Sequence, residues 1–385
     1  MKNDLVKLFE ETFGRLPQAV TCAPGRIEFI GNHTDYNGGL VLGAAIDRSV
    51  KVAVARREDD RIHLKSLMET QDVQTSLSSV IRQTGARFWA NYPLGVLESL
   101  KQDGLLPDKG FDLLVTSDVH PGAGLSSSAA FELASALAFS SIYNFPMTRE
   151  RLVMAARRAE NEFVGVPCGI LDQAVSCFGK EDHLVLIDCK QITFTTVPLP
   201  KGVNFWIFNT NVKHNLVTSL YATRHQECME AVRLIKQSLP EIDCLADVTP
   251  KQLKAHLHEL PKKIGLRARH VVEENQRVKD TIAALAKGDL RTVGTLLLAS
   301  HESSRKLFEN SCPELDTFVD LLKKRAHVFG ARLTGGGFGG AVMAMTGPEF
   351  TEVQASEVAA DFAARYNNCC PAIFHAKTGD GAHVV

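Results

Sequence analysis

The segment PGAGLSSSAA at residues 121–130, the serine loop, determines the fold that the sequence predicts. Before it, Phe111–Val119 alternates apolar side chains with others and is predicted to form a strand. After it, Ala129–Ile142 is rich in alanine, leucine and phenylalanine and is predicted to form a buried helix. The glycines let the backbone approach a ligand, and the serines place hydroxyl and N–H groups at the positive end of a helix. The pattern favours a phosphate site, although an ordinary N-cap after a tight turn would have a similar local sequence.

The composition describes a globular chain without a strong charge bias. The 385 residues predict two domains, and 45% hydrophobic with 23% charged residues suffices for a sizeable core. A net charge of −1 without a basic stripe argues against a nucleic-acid partner. The first residues lack the apolar core of a signal peptide, and the sequence has no apolar run of spanning length, so we expect no membrane association. Nine thinly spread cysteines indicate reduced thiols and a cytoplasmic protein.

A second chemical segment, GRIEFIGNHTDYNGG, occupies residues 25–39. Arg26–Ile30 is predicted to be a strand with Arg26 and Glu28 on one face, and it leads into the polar loop, residues 31–39. This loop concentrates hydrogen-bonding side chains between glycines: Asn32, His33, Asp35, Tyr36 and Asn37. A buried aspartate can accept hydrogen bonds from two vicinal hydroxyls, so the loop suits a polyhydroxylated molecule, and a solvated turn is the equally weighted alternative.

Three further positions are candidates for chemistry. Glu160 lies near the end of a helix predicted at Arg151–Phe163, where a carboxylate opposes the helix dipole and suits a cation, or else is a solvated surface group. Asp172 falls in the first turn of another helix, either as a general base or as an ordinary helix-start carboxylate. The segment FWANY at residues 88–92 groups three aromatic rings, of which an exposed one could stack on a base.

The remaining organisation is coarser. Val41–Ala55 is predicted to form two strands. Short strands between His183 and Phe208, separated by prolines, indicate a domain change near residue 200, and Leu220–Lys324 is helical in pattern. We therefore place the domains at 1–200 and 201–385. The segment GGGFGG at residues 335–340, the glycine loop, indicates a close approach of backbone to a ligand or to another loop.

Four of these segments, in this order, resemble the GHMP small-molecule kinase family, and within it the galactokinases. They are GRIEFIGNHTDYN (25–37), the serine loop, PCGILDQ (167–173) and the glycine loop. The resemblance implies an α+β, two-domain GHMP kinase fold with the active site in the interdomain cleft. It implies ATP-dependent phosphorylation of the anomeric hydroxyl of galactose with Mg²⁺, in a cytoplasmic enzyme expected to be a monomer.

The resemblance also implies roles for individual residues. Asp172 would be the catalytic base, and Arg26 would stabilise charge on the transferred phosphoryl group. Ser128 and Glu160 would hold Mg²⁺, and Trp89 would lie beside the adenine. The sugar-binding positions would be Asn32, His33, Asp35, Gly169 and Tyr221. The ATP phosphates would bind the backbone of the serine loop, at Gly122, Ala123, Gly124, Leu125, Ser126, Ser127 and Ser128.

Two positions depart from the family pattern. Asn32 stands where glutamate is usual, and it is expected either to alter recognition of the sugar C6 group or to be a tolerated variation. Glu28 stands where asparagine is usual and is expected to pair with Arg26. A kinase for another or C6-modified hexose and a non-catalytic sugar-sensing regulator therefore remain alternatives. An acyclic-acid kinase is disfavoured by HTDY at residues 33–36, and the chain has no GxxxxGK[ST] segment of a P-loop NTPase.

Overall fold

The computed structural model describes residues 2–119, 124–211, 217–366 and 370–385, and this part of the chain is α+β. Its strands are β1 (Ala19–Ile30), β2 (Leu40–Arg56), β3 (Arg61–Ser66), β4 (Val73–Ser76), β5 (Phe111–Ser117), β6 (His183–Asp188), β7 (Thr193–Pro198), β8 (Asn204–Asn209), β9 (Val328–Thr334), β10 (Ala341–Thr346), β11 (Ala372–Ala376) and β12 (His383–Val384). Its α-helices are α1 (Lys2–Phe13), α2 (Asn91–Gln102), α3 (Ser127–Tyr143), α4 (Arg149–Arg158), α5 (Leu171–Phe178), α6 (Val217–Ile235), α7 (Pro250–His256), α8 (Lys262–Ala286), α9 (Leu290–Ser303), α10 (Pro313–Leu322) and α11 (Glu352–Ala363).

The larger sheet has the strand order β12-β1-β2-β5-β3-β4, and β6 joins it through β2 and β7 through β6. The β3–β5 pair is parallel, whereas the long central pairs of β2 with β1 and with β5 are antiparallel. Helix α3 packs across β1 and β2. It is apolar on nearly every side because it is enclosed by the sheet and by neighbouring helices, as the alanine-rich sequence predicted.

The second sheet has the antiparallel order β11-β8-β10-β9. Helices α10 and α11 cover it, and Phe208, Phe318 and Phe362 form part of the core between sheet and helices. Strands β7 and β8, on either side of residue 200, belong to different sheets. The last strand, β12, returns to the first sheet and pairs with β1 at Thr21 and Cys22.

Two elements differ from the sequence prediction. Val41–Ala55 belongs to one strand, β2, of 17 residues. Its polar centre at Asp47–Ser49 lies at the surface, so the strand continues through polar residues that resemble a turn in the sequence. The helix predicted at Arg151–Phe163 is α-helical only to Arg158 and then widens into a π-helical turn at Ala159–Val164. Side-chain spacing does not distinguish these two helix types.

The connections place the four chemical segments close together. The polar loop joins β1 to β2, the serine loop joins β5 to α3, Asp172 begins α5, and the glycine loop joins β9 to β10. The glycine loop is thus a hairpin connection, and its carbonyl groups also accept hydrogen bonds from Asn32 and His33 of the polar loop. Among the described helices, none combines the length and apolar character needed to cross a membrane.

Candidate active site

A small polar cavity of about 130 Å³ lies where the polar loop, the glycine loop and the start of α5 meet. The structure brings all seven predicted catalytic and sugar-binding residues to its wall: Arg26, Asn32, His33, Asp35, Gly169, Asp172 and Tyr221. The wall also carries Glu28, so three carboxyl groups and one guanidinium face the same space. Such a wall offers many hydrogen-bond acceptors to the hydroxyl groups of a ligand.

Both oxygens of the Asp172 carboxylate accept hydrogen bonds from the protein. Arg26 donates to Oδ1 from Nε at 2.7 Å and from Nη2 at 2.6 Å, and the Ser126 hydroxyl donates to Oδ2. Arg26 also donates from Nη1 to the Gly124 carbonyl oxygen at 2.6 Å. The Asp172 side chain is 24% exposed, whereas that of Arg26 is 6% exposed. A buried guanidinium therefore orients a carboxylate that remains accessible to a ligand.

Asp35 and Gly169 face each other across the cavity with little space between them. A Cβ atom added at Gly169 would lie 1.6 Å from Asp35 Oδ2, so glycine is required for the carboxylate to occupy its position. Burial raises the pKa of Asp35 to about 6, and the charges of Glu28 and Asp172 act in the same direction. Hydrogen-bond donors on a ligand would therefore change the protonation of the Asp35 carboxyl group.

His33 connects the polar loop to the glycine loop. Its Nε2 donates to the Gly336 carbonyl oxygen at 3.0 Å, and its Nδ1 accepts from the Tyr36 hydroxyl at 2.9 Å. Burial lowers the pKa of His33 to about 3, so the ring is neutral near pH 7. The Tyr221 ring of α6 lies 5.2 Å from the His33 ring, centroid to centroid. Both ring nitrogens are bonded to the protein, so His33 stabilises the loop. It can contact a ligand only through the face of its ring.

The Asn32 side chain, which is also in the cavity wall, makes four hydrogen bonds to protein. Nδ2 donates to Glu28 Oε1 and to the Gly335 carbonyl oxygen, each at 2.9 Å. Oδ1 accepts from Asn310 Nδ2 at 2.8 Å and from the Ser304 hydroxyl at 3.2 Å. The residue is 1% exposed. A sugar contact through this amide would therefore require exchange of a protein partner, and the predicted effect on C6 recognition stays a prediction.

The predicted pairing of Glu28 with Arg26 is wrong. Glu28 Oε1 pairs with Arg332 Nη2 at 3.1 Å, and Arg26 pairs with Asp172. Arg332 comes from β9 and is fully buried. The preferred partners lie about 150 and 300 positions away along the chain, which the alternation of one strand does not reveal. The two departures from the family pattern, Glu28 and Asn32, are in direct contact with each other.

A second cavity of about 530 Å³ lies beside the start of α3. Phe88, Trp89 and Phe131 line its apolar part, and Ser127 and Ser128 line its other side. Trp89 is largely buried, with its ring near that of Phe131, whereas Phe88 is 37% exposed. The rings of Phe88 and Trp89 are therefore placed to contact a flat apolar group such as a nucleobase.

Glu160 lies on the π-helical turn, close to the start of α3. Its carboxylate accepts from Gln173 Nε2 at 2.6 Å, and the nearby Ser128 hydroxyl favours its ionised form. Burial, together with the charge of Asp172, raises the pKa of Glu160. No group of three or more His, Cys, Asp or Glu side chains in the described ranges could hold a metal by itself. Mg²⁺ is commonly held by one or two carboxylates and by substrate phosphates, and Ser128 with Glu160 fits that chemistry.

The described part of the serine loop has an unusual backbone. Gly124 has φ of +69° and Ser126 has φ of +54°, and α3 begins at Ser127. Leu125 is buried in the core, and its carbonyl oxygen accepts from the Arg26 N–H at 2.9 Å. Two predicted phosphate-binding residues lie outside the described residues, Gly122 and Ala123.

Several polar residues that support the site were not predicted from the sequence. Arg332 is the one charged residue in strand β9, and this position in a mostly apolar segment could have indicated a buried ion pair. Asn310, which donates to Asn32, follows a π-helical turn that the sequence does not reveal. Glu274 of α8 accepts from the backbone N–H groups of Gly31 and Asn32, and only the tertiary structure brings it to the polar loop.

Comparisons with known proteins agree with this geometry. The chain matches the family descriptions "Galactokinase galactose-binding signature" at residues 7–56, "GHMP kinases N terminal domain" at 91–180 and "GHMP kinases C terminal" at 281–368. It is 42% identical over 342 residues to a galactokinase of Roseiflexus sp. strain RS-1, covering 89% of this chain and 87% of that protein. It is 40% identical to a galactokinase of Chloroflexus aurantiacus, covering 94% and 92%.

Solved structures show the same relation. A Lactococcus lactis galactokinase complexed with galactose superposes with a TM-score of 0.94 at 32% identity, covering 99% of each chain. The Methanococcus jannaschii mevalonate kinase, at 20% identity and a TM-score of 0.67 over 94% of this chain and 98% of that one, shares the fold. The chain has the GHMP kinase fold and belongs to the galactokinase family of GHMP kinases.

Proposed function

We propose that this chain is an ATP-dependent sugar 1-kinase that converts galactose into galactose 1-phosphate. The observation that carries the proposal is that Asp172 connects the small polar cavity to the segment of chain that reaches the large apolar cavity. It lines the small polar cavity, and its Oδ2 accepts from Ser126, two residues before Ser128 in the wall of the large apolar cavity. A base at this point can serve a sugar on one side and a nucleoside triphosphate on the other.

The sugar side of the proposal rests on Asp35, Gly169 and Tyr221. The Asp35 carboxylate can accept from two vicinal ring hydroxyls, and Gly169 leaves it the necessary space. Tyr221 closes the cavity beside His33. The Lactococcus lactis galactokinase, which shares the fold over nearly its whole length, is complexed with galactose, and this supports galactose as the sugar.

In the transfer itself, Asp172 accepts the proton of the C1 hydroxyl as that oxygen attacks the terminal phosphorus of ATP. The bond from that phosphorus to the bridging oxygen of ADP breaks, and ADP leaves. Arg26, fixed on Asp172 and on the serine loop, places positive charge beside the reacting groups. Phosphoryl transfer needs mainly positioning and charge stabilisation, which these residues provide.

Ser128 and Glu160 are the residues that we propose to hold Mg²⁺. When bound, the ion would neutralise charge on the ATP phosphates. The chain's own part is to present one hydroxyl and one buried carboxylate, and Gln173 orients that carboxylate by a hydrogen bond.

The cavity wall argues against a sugar with a C6 carboxylate. Among the described wall residues Arg26 is the cation, and it is paired with Asp172. A C6 carboxylate on the sugar would face the carboxyl groups of Glu28, Asp35 and Asp172 without a free positive partner. A non-catalytic regulator is disfavoured because Asp172, Arg26 and the described serine-loop residues form a connected set.

The first test is ADP release from ATP and Mg²⁺ with galactose, 2-deoxygalactose, fucose, galacturonate, glucose and mannose. We expect galactose to have the highest kcat/KM and galacturonate to be inactive. The companion variant is Asp172→Asn, which should bind galactose in calorimetry and release ADP about 10²–10⁴-fold more slowly than the wild type. If the wild type binds galactose but releases no ADP, the chain is a non-catalytic sugar-sensing regulator. If it prefers a sugar altered at C6, the chain is a kinase for a C6-modified hexose.

We also propose that the enzyme is a cytoplasmic monomer. Both cavities are lined by residues of a single chain. Seven cysteines in the described ranges are free thiols, which suits a reducing compartment: Cys22, Cys168, Cys177, Cys189, Cys228, Cys244 and Cys312. Light scattering of the purified protein measures the oligomeric state directly.

A further inference from the structure

Helix α8 holds the polar loop at both ends. Glu274 Oε1 accepts from the N–H of Gly31 at 3.0 Å and of Asn32 at 3.2 Å. One turn earlier on α8, His270 Nε2 donates to the Asn32 carbonyl oxygen at 3.0 Å. At the far end of the loop, Asn275 Oδ1 accepts from the Leu40 N–H at 2.9 Å.

Glu274 is the centre of this arrangement. It is fully buried, and Ser300 of α9 donates to the same Oε1 at 2.6 Å, while Arg277 donates to Oε2 at 2.6 Å. Burial alone would raise the pKa of Glu274, but Arg277 and the neighbouring donors lower it to about 2, so the group is ionised at neutral pH. Hydrogen bonds from backbone N–H groups to a charged acceptor are stronger than those to a neutral one.

The loop needs such an anchor because His33, which is not a glycine, has φ of +60°. A non-glycine residue in this conformation persists only where surrounding contacts determine it. Gly31, with φ of +111°, adopts a conformation that glycine tolerates and that leaves its N–H free to meet Glu274. Asp35 follows two residues after His33, so its position in the cavity depends on the same backbone.

We propose that Glu274 is a positioning residue for sugar binding, which fixes the backbone of Gly31 and Asn32 so that Asp35 meets the sugar hydroxyls. This role rests on the proposed function of the cavity. Glu274 contacts the loop and not the cavity, so its effect reaches the sugar through Asp35.

The test compares Glu274→Gln with Glu273→Gln, its neighbour on α8. Glu273 is 31% exposed and pairs with Arg269 at 2.6 Å and with Arg277 at 3.8 Å. Its substitution therefore controls both for loss of one negative charge on this helix and for a weaker contact with Arg277. We expect Glu274→Gln to raise the galactose KM and Kd at least about tenfold, because a loop that is correctly formed one-tenth of the time weakens binding by that factor. The KM for ATP and kcat should stay within about twofold of the Glu273→Gln values, since the polar loop does not line the large apolar cavity.

Amide hydrogen exchange of residues 31–34 in the ligand-free protein gives a second readout. We expect faster exchange there in Glu274→Gln and unchanged exchange in Glu273→Gln. Equal galactose Kd values in the two variants, or a fall in kcat at unchanged galactose KM, would overturn the proposal. If Glu274→Gln does not fold, Ser300→Ala removes one donor to the same oxygen and should still raise the galactose Kd by a few-fold; no change would overturn the proposal. If the wild type binds no galactose, the proposed function fails, while the exchange measurement still decides whether Glu274 holds the loop.

Discussion

Exchanging the residues at positions 28 and 32 tests whether Asn32 serves the protein or the sugar. Asn32→Glu replaces an amide donor by a carboxyl group 2.9 Å from the Glu28 carboxyl and leaves the Gly335 carbonyl oxygen without its donor. Each buried acceptor that loses its donor costs about 1–3 kcal/mol, so we expect a loss of about 4 kcal/mol in the free energy of unfolding, before charge repulsion is added.

The reverse single change is also unfavourable. Glu28→Asn removes the carboxylate 3.1 Å from Arg332, whose side chain is fully buried. Breaking a buried ion pair from one side costs about 3–5 kcal/mol, because the remaining charge stays buried without a partner.

The double variant, Glu28→Asn with Asn32→Glu, keeps one amide and one carboxylate in contact and leaves a carboxylate near Arg332. We expect it to be more stable than either single variant, with a coupling free energy of about 2 kcal/mol or more between the two positions. Guanidinium unfolding of the four proteins measures the coupling, and kcat/KM for galactose measures the consequence at the site. Strictly additive losses would refute the contact, and a gain in kcat/KM for galactose in Asn32→Glu alone would show that residue 32 faces the sugar.

Three further predictions concern the cavity. Asp172→Asn should lower kcat by about 10²–10⁴-fold, the usual contribution of a general base, with galactose binding by calorimetry within a few-fold; comparable turnover would remove Asp172 from the proton transfer. Gly169→Ala should raise the galactose KM while leaving the KM for ATP unchanged, because its methyl group would overlap Asp35 Oδ2; an unchanged galactose KM would show that Asp35 does not need this position. Because the pKa of Asp35 is raised to about 6, the carboxyl gains a proton as the pH falls through that value, so galactose affinity should fall about tenfold per pH unit below it and stay level above it. Calorimetry across this range checks the profile, and Asp35→Asn should abolish the inflection.

Local sequence was sufficient to predict the chemical character of the main segments. Gly124 adopts positive φ, as the serine-loop pattern indicated, and α3 begins at Ser127, two residues before its predicted start at Ala129. Alternation and composition found β5 and α3, because one face of a strand and the whole surface of a buried helix are visible in their own residues.

The partners of those residues were decided only by the tertiary structure. Arg26 binds Asp172, Glu28 binds Arg332, and Glu274 binds the backbone at Gly31, in each case across more than a hundred positions of sequence. A side chain's periodicity shows which face it occupies, but its partner is whichever opposite charge or donor the packing of distant elements brings nearest. For that reason the sequence by itself indicated the reaction and its candidate residues, and the fold determined which of them contact the cavity and which hold it in shape.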